Sequence, residues 1–443
     1  MGKEKMSFVD RAWLRMDDAT NLMVITGLLF FKEPIQLDEL THVVKERLLK
    51  FERFRQRVVQ KNSLLAPPYW EEDPDFDIAH HVKELQLSPP GDAAVLRQQV
   101  SQLMSEPLDA RHPLWQLHLI QNYQEGCAVL VRIHHCIADG IALVRVLLSL
   151  TDHESTQNVP SLHRQHTQFE SPALKKRNSY VPRTLIGRML LSVGKAFSLL
   201  RLALLKPDPR TIFKGKLTVK KVAAWSRPLP LEDIKQIGKT FGATVNDVLL
   251  SVVSGALEEY LNARVPEVPR RLNIRAAVPI NLRPAEDKIR LGNKFGLLFL
   301  SLPLSITDPI KRLQEVHRRS LALKQSLQSQ VVFGFLRVIG MVPHFMERWI
   351  INFFGTKITA VMTNVPGPQH PIYLAQKQVE AILFWVPQSG RAGMGVSIFS
   401  YCGNVYIGIA TDANLVPEPA EIVANIQRQF NQLKERLPDK LSA

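Results

Sequence analysis

The sequence has few cysteines and no long uncharged apolar stretch. The first argues against a disulfide-rich secreted protein, and the second against a transmembrane protein. Three cysteines occur in 443 residues, at Cys127, Cys136 and Cys402, too few and too scattered for a disulfide framework. That usage favours a reducing compartment. No run of eighteen uncharged apolar residues is present, which argues against a transmembrane helix. The stretch from Met1 to Lys5 lacks the apolar core of a signal peptide, so we expect a cytoplasmic protein.

Acidic residues are outnumbered, since 56 Lys and Arg face 41 Asp and Glu and give a net charge of +15. A basic surface attracts polyanions: nucleic acid, anionic lipid, or a phosphorylated molecule such as CoA. The chain has no zinc-finger spacing, no aromatic RNA-binding signature and no long basic tail. We therefore expect lipid or CoA as the partner, no nucleic acid and no metal. The length predicts two globular domains.

One stretch combines residues that carry chemistry, and it reads His-His-Cys-Ile-Ala-Asp-Gly from His134 to Gly140. It follows a β-branched run, Cys127 to Ile133, and precedes a leucine-rich run, Ile141 to Leu150, which predicts a strand-to-helix connection. Histidine, with an ordinary pKa of about 6.5, accepts protons near neutrality. The pair is equally compatible with a solvated loop or with core histidines. Cys136 is either an activated thiol or, more simply, a small buried residue.

Periodicity also predicts elements elsewhere in the chain. Apolar spacing predicts helices over Leu37–Leu49, Val245–Leu261 and Pro419–Leu437, and strands over Met23–Phe31 and Asn404–Thr411.

The heptapeptide matches the HHxxxDG signature, so the chain resembles the CoA-dependent acyltransferase superfamily, which includes chloramphenicol acetyltransferases and peptide-synthetase condensation domains. Other segments resemble, in order, those of the bacterial wax ester synthase/diacylglycerol acyltransferase family. They are Pro113-Leu114-Trp115, Asn246-Asp247, the Pro279–Pro284 turn with Arg283, and Thr363 to Pro368, where threonine replaces the family's serine. The likeness runs from about Phe8 to Leu437.

The resemblance implies an α/β (α+β) fold of two chloramphenicol-acetyltransferase-like domains, each a mixed sheet with helices, with an active-site tunnel between them. We expect an N-terminal acyltransferase domain over 1–178, which carries HHxxxDG, and a C-terminal acyltransferase-like domain over 216–443. The linker, 179–215, contains a basic amphipathic helix, Leu185 to Lys206, which suits either a lipid interface or packing across the domains. The apolar stretch Val331 to Phe354 predicts two short helices that line a tunnel, touch a membrane or pack in the core.

The implied reaction transfers a long-chain acyl group from acyl-CoA to a fatty alcohol or a diacylglycerol, directly and without an acyl-enzyme. The superfamily assigns the general base to the second histidine, hence His135. His134 then supports the loop or assists with the substrate, and Asp139 holds the loop. Acyl-CoA is a substrate, and no cofactor is expected.

Other residues are assigned supporting roles by the same resemblance. Asn246, Asp247 and Gly140 are the candidates for support or for an oxyanion site, although Asp247 also suits a helix cap. Arg57, with Arg55 as the alternative, is expected to form an ion pair with Asp139. The remaining structural partners are Trp115, which we expect to pack, Arg283 and Asn364.

The expected setting is the cytoplasm, with peripheral association with a membrane or lipid inclusions. Two alternatives stay open: an acyltransferase or condensation-type enzyme with a polar acceptor, and a non-catalytic lipid-binding relative. A serine hydrolase is disfavoured because Gly395-Val396-Ser397 continues into Ile398-Phe399 and no G-x-S-x-G elbow exists. The acceptor, the acyl length, the residues that contact CoA and the oligomeric state are left undetermined.

Overall fold

The computed structural model describes residues 3–60, 67–152, 204–269, 271–281, 291–293, 295–324, 341–342, 344–388 and 390–438. The described helices are α1 (Phe8–Met16), α2 (Leu37–Arg47), α3 (Ala93–Ser105), α4 (Gly140–Ser149), α5 (Leu231–Thr240), α6 (Val245–Asn262), α7 (Pro309–Lys324), α8 (His344–Gly355) and α9 (Pro419–Glu435). The described strands are β1 (Glu4–Lys5), β2 (Val24–Phe31), β3 (Gln56–Val59), β4 (Tyr69–Glu72), β5 (Val82–Gln86), β6 (Trp115–Tyr123), β7 (Gly126–His134), β8 (Lys221–Trp225), β9 (Leu229–Pro230), β10 (Asn273–Asn281), β11 (Phe295–Pro303), β12 (Ala360–Pro366), β13 (Tyr373–Leu374), β14 (Lys377–Gln378), β15 (Ala381–Trp385), β16 (Met394–Tyr401) and β17 (Asn404–Asp412).

The first mixed sheet has the described strand order β15-β2-β7-β6-β5. Only the β5–β6 pair among these is parallel. β7 is apolar along nearly its whole length and almost all of its residues are buried, as expected for a central strand covered on both faces. The strand delivers the two histidines to one end of this sheet.

One edge of the first sheet comes from far along the chain. β15 pairs antiparallel with β2, so that Phe384 lies opposite Gly27 and Trp385 opposite Thr26. Trp385 is fully buried and its ring meets Trp225 edge-on, with 5.7 Å between centroids. The second half of the chain, from residue 204 onward, thus completes the sheet built by the first half.

The second mixed sheet has the described order β11-β10-β12-β16-β17-β8, with β9 added beside β17. β10, β12 and β16 run parallel, and the other neighbours are antiparallel. α6 is buried along almost every face because it packs within a core that also contains residues of α9 and this sheet. Each half therefore has a mixed sheet with helices, as expected.

The edge strand β8 is covered by a helix of the first half. The hydroxyl of Ser105 accepts a hydrogen bond from the backbone N–H of Lys221 at 2.9 Å, and Ser101 accepts from Ala223 at 2.9 Å. These bonds occupy donors that an open edge would expose, and they tie the two halves together.

Several expected segments fall beyond what the structure describes. Most of the 179–215 linker, most of the basic helix Leu185 to Lys206, Arg283, and residues 331–340 and 343 lie outside the described residues. The division of the chain at residues 178 and 216 stays a prediction. Of the stretch Val331 to Phe354, the second expected helix is present as α8.

Within the described residues, none of the helices has both the length and the apolar composition to cross a bilayer alone. The pair α5 and α6 would meet those criteria together, but it is bent by 97°.

α8 is anchored to α1 by a buried hydrogen bond between Arg15 and Glu347. Arg15 donates from Nη1 to Glu347 Oε2 at 3.2 Å and to the carbonyl of Val342 at 3.2 Å. The Glu347 side chain is fully buried. Burial raises the pKa of Glu347 to about 7, although Arg15 opposes that rise.

Substitution of Glu347 by Gln should therefore change stability in a pH-dependent way. The folded state retains the Glu347 proton up to about pH 7, whereas the unfolded state releases it near pH 4.5. The free energy of unfolding of the wild type should therefore decrease as the pH rises from 4.5 to 7. Glu347→Gln does not titrate, so its free energy of unfolding relative to wild type should be about 2–3 kcal/mol higher at pH 8 than at pH 5. Urea unfolding at both pH values measures this difference.

The matched control is Glu232→Gln, since the Glu232 side chain is 83% exposed. Its stability relative to wild type should be the same at both pH values. A pH-independent difference for Glu347→Gln would contradict the burial argument.

Candidate functional site

A cavity of about 820 Å³ lies between the two halves, and apolar side chains form most of its wall. The first half contributes Trp13 from α1 and Ile25 from β2, and the second half contributes residues of α6, α8 and β10 to β12. The volume is at the upper end of the usual range for small-molecule sites, roughly 300–1,000 Å³. His135, Asp139, Asn246 and Asn364 are among the polar residues in this wall.

The His135 ring lies flat against Trp13, with 4.0 Å between centroids and 16° between planes. The ring of Phe295, at the start of β11, lies beside the same imidazole, tilted by 51° and with 5.8 Å between centroids. Burial lowers the pKa of His135 to about 4, against the opposing effect of Asp139. Near neutral pH the ring is therefore uncharged and able to accept a proton.

The backbone of His135 is fixed from both halves of the chain. Its N–H donates to the carbonyl of Met23 at 2.7 Å. Its carbonyl accepts from Nδ2 of Asn293 at 2.9 Å, and the same Nδ2 donates to Asp10 Oδ1 at 2.8 Å. Asp10 is held in turn by the hydroxyl of Ser7 at 2.6 Å. Asn293 thus clamps the histidine loop onto α1.

The loop is clamped a second time beside Asn293. The N–H of Gly292 donates to the carbonyl of Ile137 at 3.1 Å. This bond is part of an isolated parallel β-bridge between Gly292 and Ala138. Gly292 and Asn293 therefore set where the turn after β7 can lie.

His134 has a different environment, as expected for neighbouring residues at a strand end. Its Nδ1 accepts from the N–H of Cys136 at 3.1 Å, and its Nε2 lies 3.5 Å from Asp17 Oδ1. Since Nδ1 is the acceptor, the ring proton is on Nε2, facing the carboxylate. His134 supports the loop geometry. Cys136 is fully buried and burial raises the pKa of its thiol well above the ordinary value, so it is no nucleophile.

Asp139 begins α4. Its Oδ1 accepts from the N–H of Ala142 at 2.9 Å, which is an N-cap bond, and the residue also borders the cavity. Gly140 follows it in the cavity wall.

The expected ion pair between Arg57 and Asp139 is wrong. Arg57 lies 3.9 Å from Glu71 and 4.0 Å from Asp73, and the alternative, Arg55, pairs with Glu72 at 3.2 Å. The reason is the small sheet β1-β4-β3, in which β4 places Glu71 opposite Arg57 of β3 and Glu72 opposite Gln56, next to Arg55.

Two amide side chains from distant motifs meet in the wall of the cavity. Nδ2 of Asn364, on β12, donates to Oδ1 of Asn246, at the start of α6, at 3.2 Å. Asp247 instead closes a capping box with Thr244, and its Oδ2 lies 2.8 Å from His317 Nδ1. Asp247 is therefore the N3 partner of Thr244, the N-cap of α6, and a carboxylate has no proton to give an oxyanion.

Trp115 is fully buried in the first core, where its Nε1 donates to the carbonyl of Phe54 at 2.9 Å. That is the packing position expected of it.

Three residues that contact His135 or its loop were missed by sequence reasoning: Trp13, Asp10 and Asn293. Each is a single residue without a patterned neighbour, so only the fold brings them to His135.

Removal of the Asn293 amide should destabilise the protein. Asn293→Ala removes the amide that donates to Oδ1 of the buried Asp10 carboxylate and to the His135 carbonyl, while Ser7 still donates to Oδ2 of Asp10; the loss should cost about 2–3 kcal/mol. Urea unfolding measures the loss. Asn414→Ala is the control, because its exposed amide makes one long bond of 3.3 Å to Lys216 and should cost less than about 0.5 kcal/mol. Equal stability of the two variants would refute the clamp.

Comparison with known proteins places these features in a family. The model of the wax ester synthase/diacylglycerol acyltransferase catalytic domain matches residues 6–249, and that of the WS/DGAT C-terminal domain matches residues 291–434. A probable diacylglycerol O-acyltransferase of Mycobacterium tuberculosis is 26% identical over 396 residues, covering 86% of this chain and 84% of the relative.

Solved structures share the fold. The wax ester synthase/diacylglycerol acyltransferase of Marinobacter aquaeolei aligns with a TM-score of 0.73 and 21% identity, over 98% of this chain and 99% of that one. The first condensation domain of the calcium-dependent antibiotic synthetase aligns with a TM-score of 0.61 and 13% identity, over 100% and 98%. The expected two-domain acyltransferase fold is confirmed. Since one family model spans more than half of the sequence, the chain belongs to the wax ester synthase/diacylglycerol acyltransferase family and is an acyl-CoA O-acyltransferase.

Proposed function

We propose that this enzyme transfers a long-chain acyl group to a fatty alcohol, giving a wax ester, or to a diacylglycerol, giving a triacylglycerol. His135 acts as the general base, acyl-CoA is the donor, and no resident cofactor takes part. The observation that carries this proposal is the neutral ring of His135 in the wall of an apolar cavity of about 820 Å³. A neutral imidazole at an apolar site is suited to deprotonate an alcohol.

The proposed reaction has one tetrahedral intermediate and no covalent enzyme species. His135 takes the hydroxyl proton while the alcohol oxygen attacks the thioester carbonyl. When the intermediate collapses, the C–S bond breaks and the same ring returns the proton to the departing sulfur. A thiol with a pKa of about 8.5 is a good leaving group, so stabilisation of the oxyanion matters more than protonation of sulfur.

Asn246 is the proposed donor to that oxyanion. Its Oδ1 accepts from Asn364, which orients the amide and leaves Nδ2 as the group that can donate. Removal of one oxyanion donor in other enzymes costs about a hundredfold to a thousandfold in rate.

The apolar wall supports a lipid acceptor over a polar one, since a polar acceptor would lose its hydration without recovering hydrogen bonds. We further propose a cytoplasmic enzyme that works at the surface of a membrane or lipid inclusion, where such acceptors reside.

Product analysis tests the proposal. Incubation with palmitoyl-CoA and, separately, hexadecanol, a diacylglycerol, a sterol or a polar amine should give ester products from hexadecanol or the diacylglycerol. Thin-layer chromatography of labelled lipid measures them. Product from the amine alone would favour a condensation-type enzyme, and no product would favour a lipid-binding relative.

The control for this assay is His135→Gln, which keeps a planar polar side chain but removes the base. Turnover should fall at least a hundredfold, while the variant remains folded by circular dichroism. Activity near the wild-type level would exclude His135 as the base.

The pH profile of kcat/KM provides an independent measure. Because His135 is active when neutral and burial lowers its pKa to about 4, the acid limb should lie near pH 4 and not near 6.5. Trp13→Ala exposes the His135 ring to water, so the acid limb of the profile should shift to a higher pH. Preincubation at each acidic pH, followed by assay at pH 7.5, controls for unfolding. A wild-type limb near pH 6.5 would contradict the buried, neutral base.

A further inference from the structure

The outer face of α8 is apolar and exposed. Eight large hydrophobic residues are exposed among the described residues, and half of them lie between 341 and 353. They are Met341 (48%), Met346 (43%), Trp349 (68%) and Phe353 (36%). The Trp349 and Phe353 rings stack in parallel, with 5.6 Å between centroids and 6° between planes. An exposed apolar patch of this density on a protein surface marks an interaction site.

α8 separates this patch from the cavity. Met346, Trp349 and Phe353 are three and four positions apart and therefore share one side of the helix. The opposite side presents Ile351 and Phe354 to the cavity wall. A single helix thus has an apolar face toward the outside and another toward the proposed acyl site.

The patch extends to residues 204 and 205, which belong to the expected linker. Nζ of Lys357 lies 4.3 Å from the Phe353 ring centroid and donates to the carbonyl of Leu205. The neighbouring Leu204 is 72% exposed. We define the α8 patch as Leu204, Met341, Met346, Trp349 and Phe353.

The charges around the α8 patch are mainly basic. The Arg348 side chain is 69% exposed on the same helix, 3.7 Å from Asp18, and Lys206 is exposed beside Leu204. Glu347, the acidic residue of α8, is buried against Arg15. The chain as a whole carries +15. Aromatic and aliphatic side chains flanked by cations are the composition that binds an anionic membrane interface.

We propose that the α8 patch docks the enzyme on an anionic phospholipid surface, so that the cavity behind α8 lies next to its lipid acceptor. The proposal rests on the proposed function for its purpose, but the docking itself can be measured without turnover. A second copy of the chain is the competing occupant of the same face.

Vesicle binding tests the docking. Full-length protein is mixed with vesicles of phosphatidylcholine and phosphatidylglycerol at 7:3 and separated by flotation. The double variant Trp349→Ser/Phe353→Ser should bind at least tenfold more weakly than wild type. The matched control is Val219→Ser/Leu321→Ser, which removes exposed apolar residues elsewhere and should bind like wild type. Equal binding of both variants would overturn the proposal.

Fluorescence gives a second readout. Of six tryptophans, Trp349 is exposed and the others are buried or half-buried. Brominated lipid should therefore quench wild-type emission, and Trp349→Phe should lose most of that quenching. Unchanged quenching in Trp349→Phe would place the lipid contact elsewhere.

Activity separates the two proposals. The Trp349→Ser/Phe353→Ser variant should lose activity on diacylglycerol held in vesicles and keep it on dissolved 1-hexanol. Vesicle binding by wild type but not by this variant, without any turnover, would leave docking intact and refute the proposed function. If light scattering shows that the variant converts a dimer to a monomer while vesicle binding persists, the face joins two copies and the docking proposal fails.

Discussion

The proposed chemistry depends on keeping the imidazole of His135 out of water without sealing it from the cavity. A histidine in water is half protonated near pH 6.5, and a protonated ring cannot take a proton from an alcohol. Contact with Trp13 on one face and Phe295 nearby removes solvent, so the neutral form is favoured. Because the ring also lines the cavity, the burial that lowers its pKa leaves the proposed base where an acceptor could reach it.

That arrangement requires both halves of the chain. Trp13 comes from α1, whereas Phe295 and Asn293 come from the start of β11 and the segment before it. Asn293 bonds to the His135 backbone and to Asp10 with the same nitrogen, so the histidine loop, α1 and the second half cannot move independently. Burial alone would leave the loop position undetermined, since hydrophobic contact is non-directional. The directed hydrogen bonds of this asparagine supply the missing constraint.

The sequence was informative where residues were patterned and uninformative where they stood alone. The expected helix over Val245–Leu261 and strand over Met23–Phe31 agree within about two residues with α6 and β2. Motifs singled out Asn246 and Asn364 separately, and only the fold shows that their side chains meet although 118 positions separate them. The partner of Arg57 was wrong because strand neighbours in a small sheet depend on pairing that spacing does not encode. Trp13 and Asn293 carried no signal, since a lone tryptophan or asparagine fits many roles.

Because β15 comes from the second half of the chain, the first sheet cannot be completed early in protein synthesis. Without β15, β2 is an outer strand of that sheet with an unpaired row of backbone groups. Translation proceeds from the amino end, so the ribosome exposes this row for the time needed to add some 350 further residues, about half a minute at roughly 10 residues per second. Dissection into independently expressed fragments would leave the same row uncovered permanently.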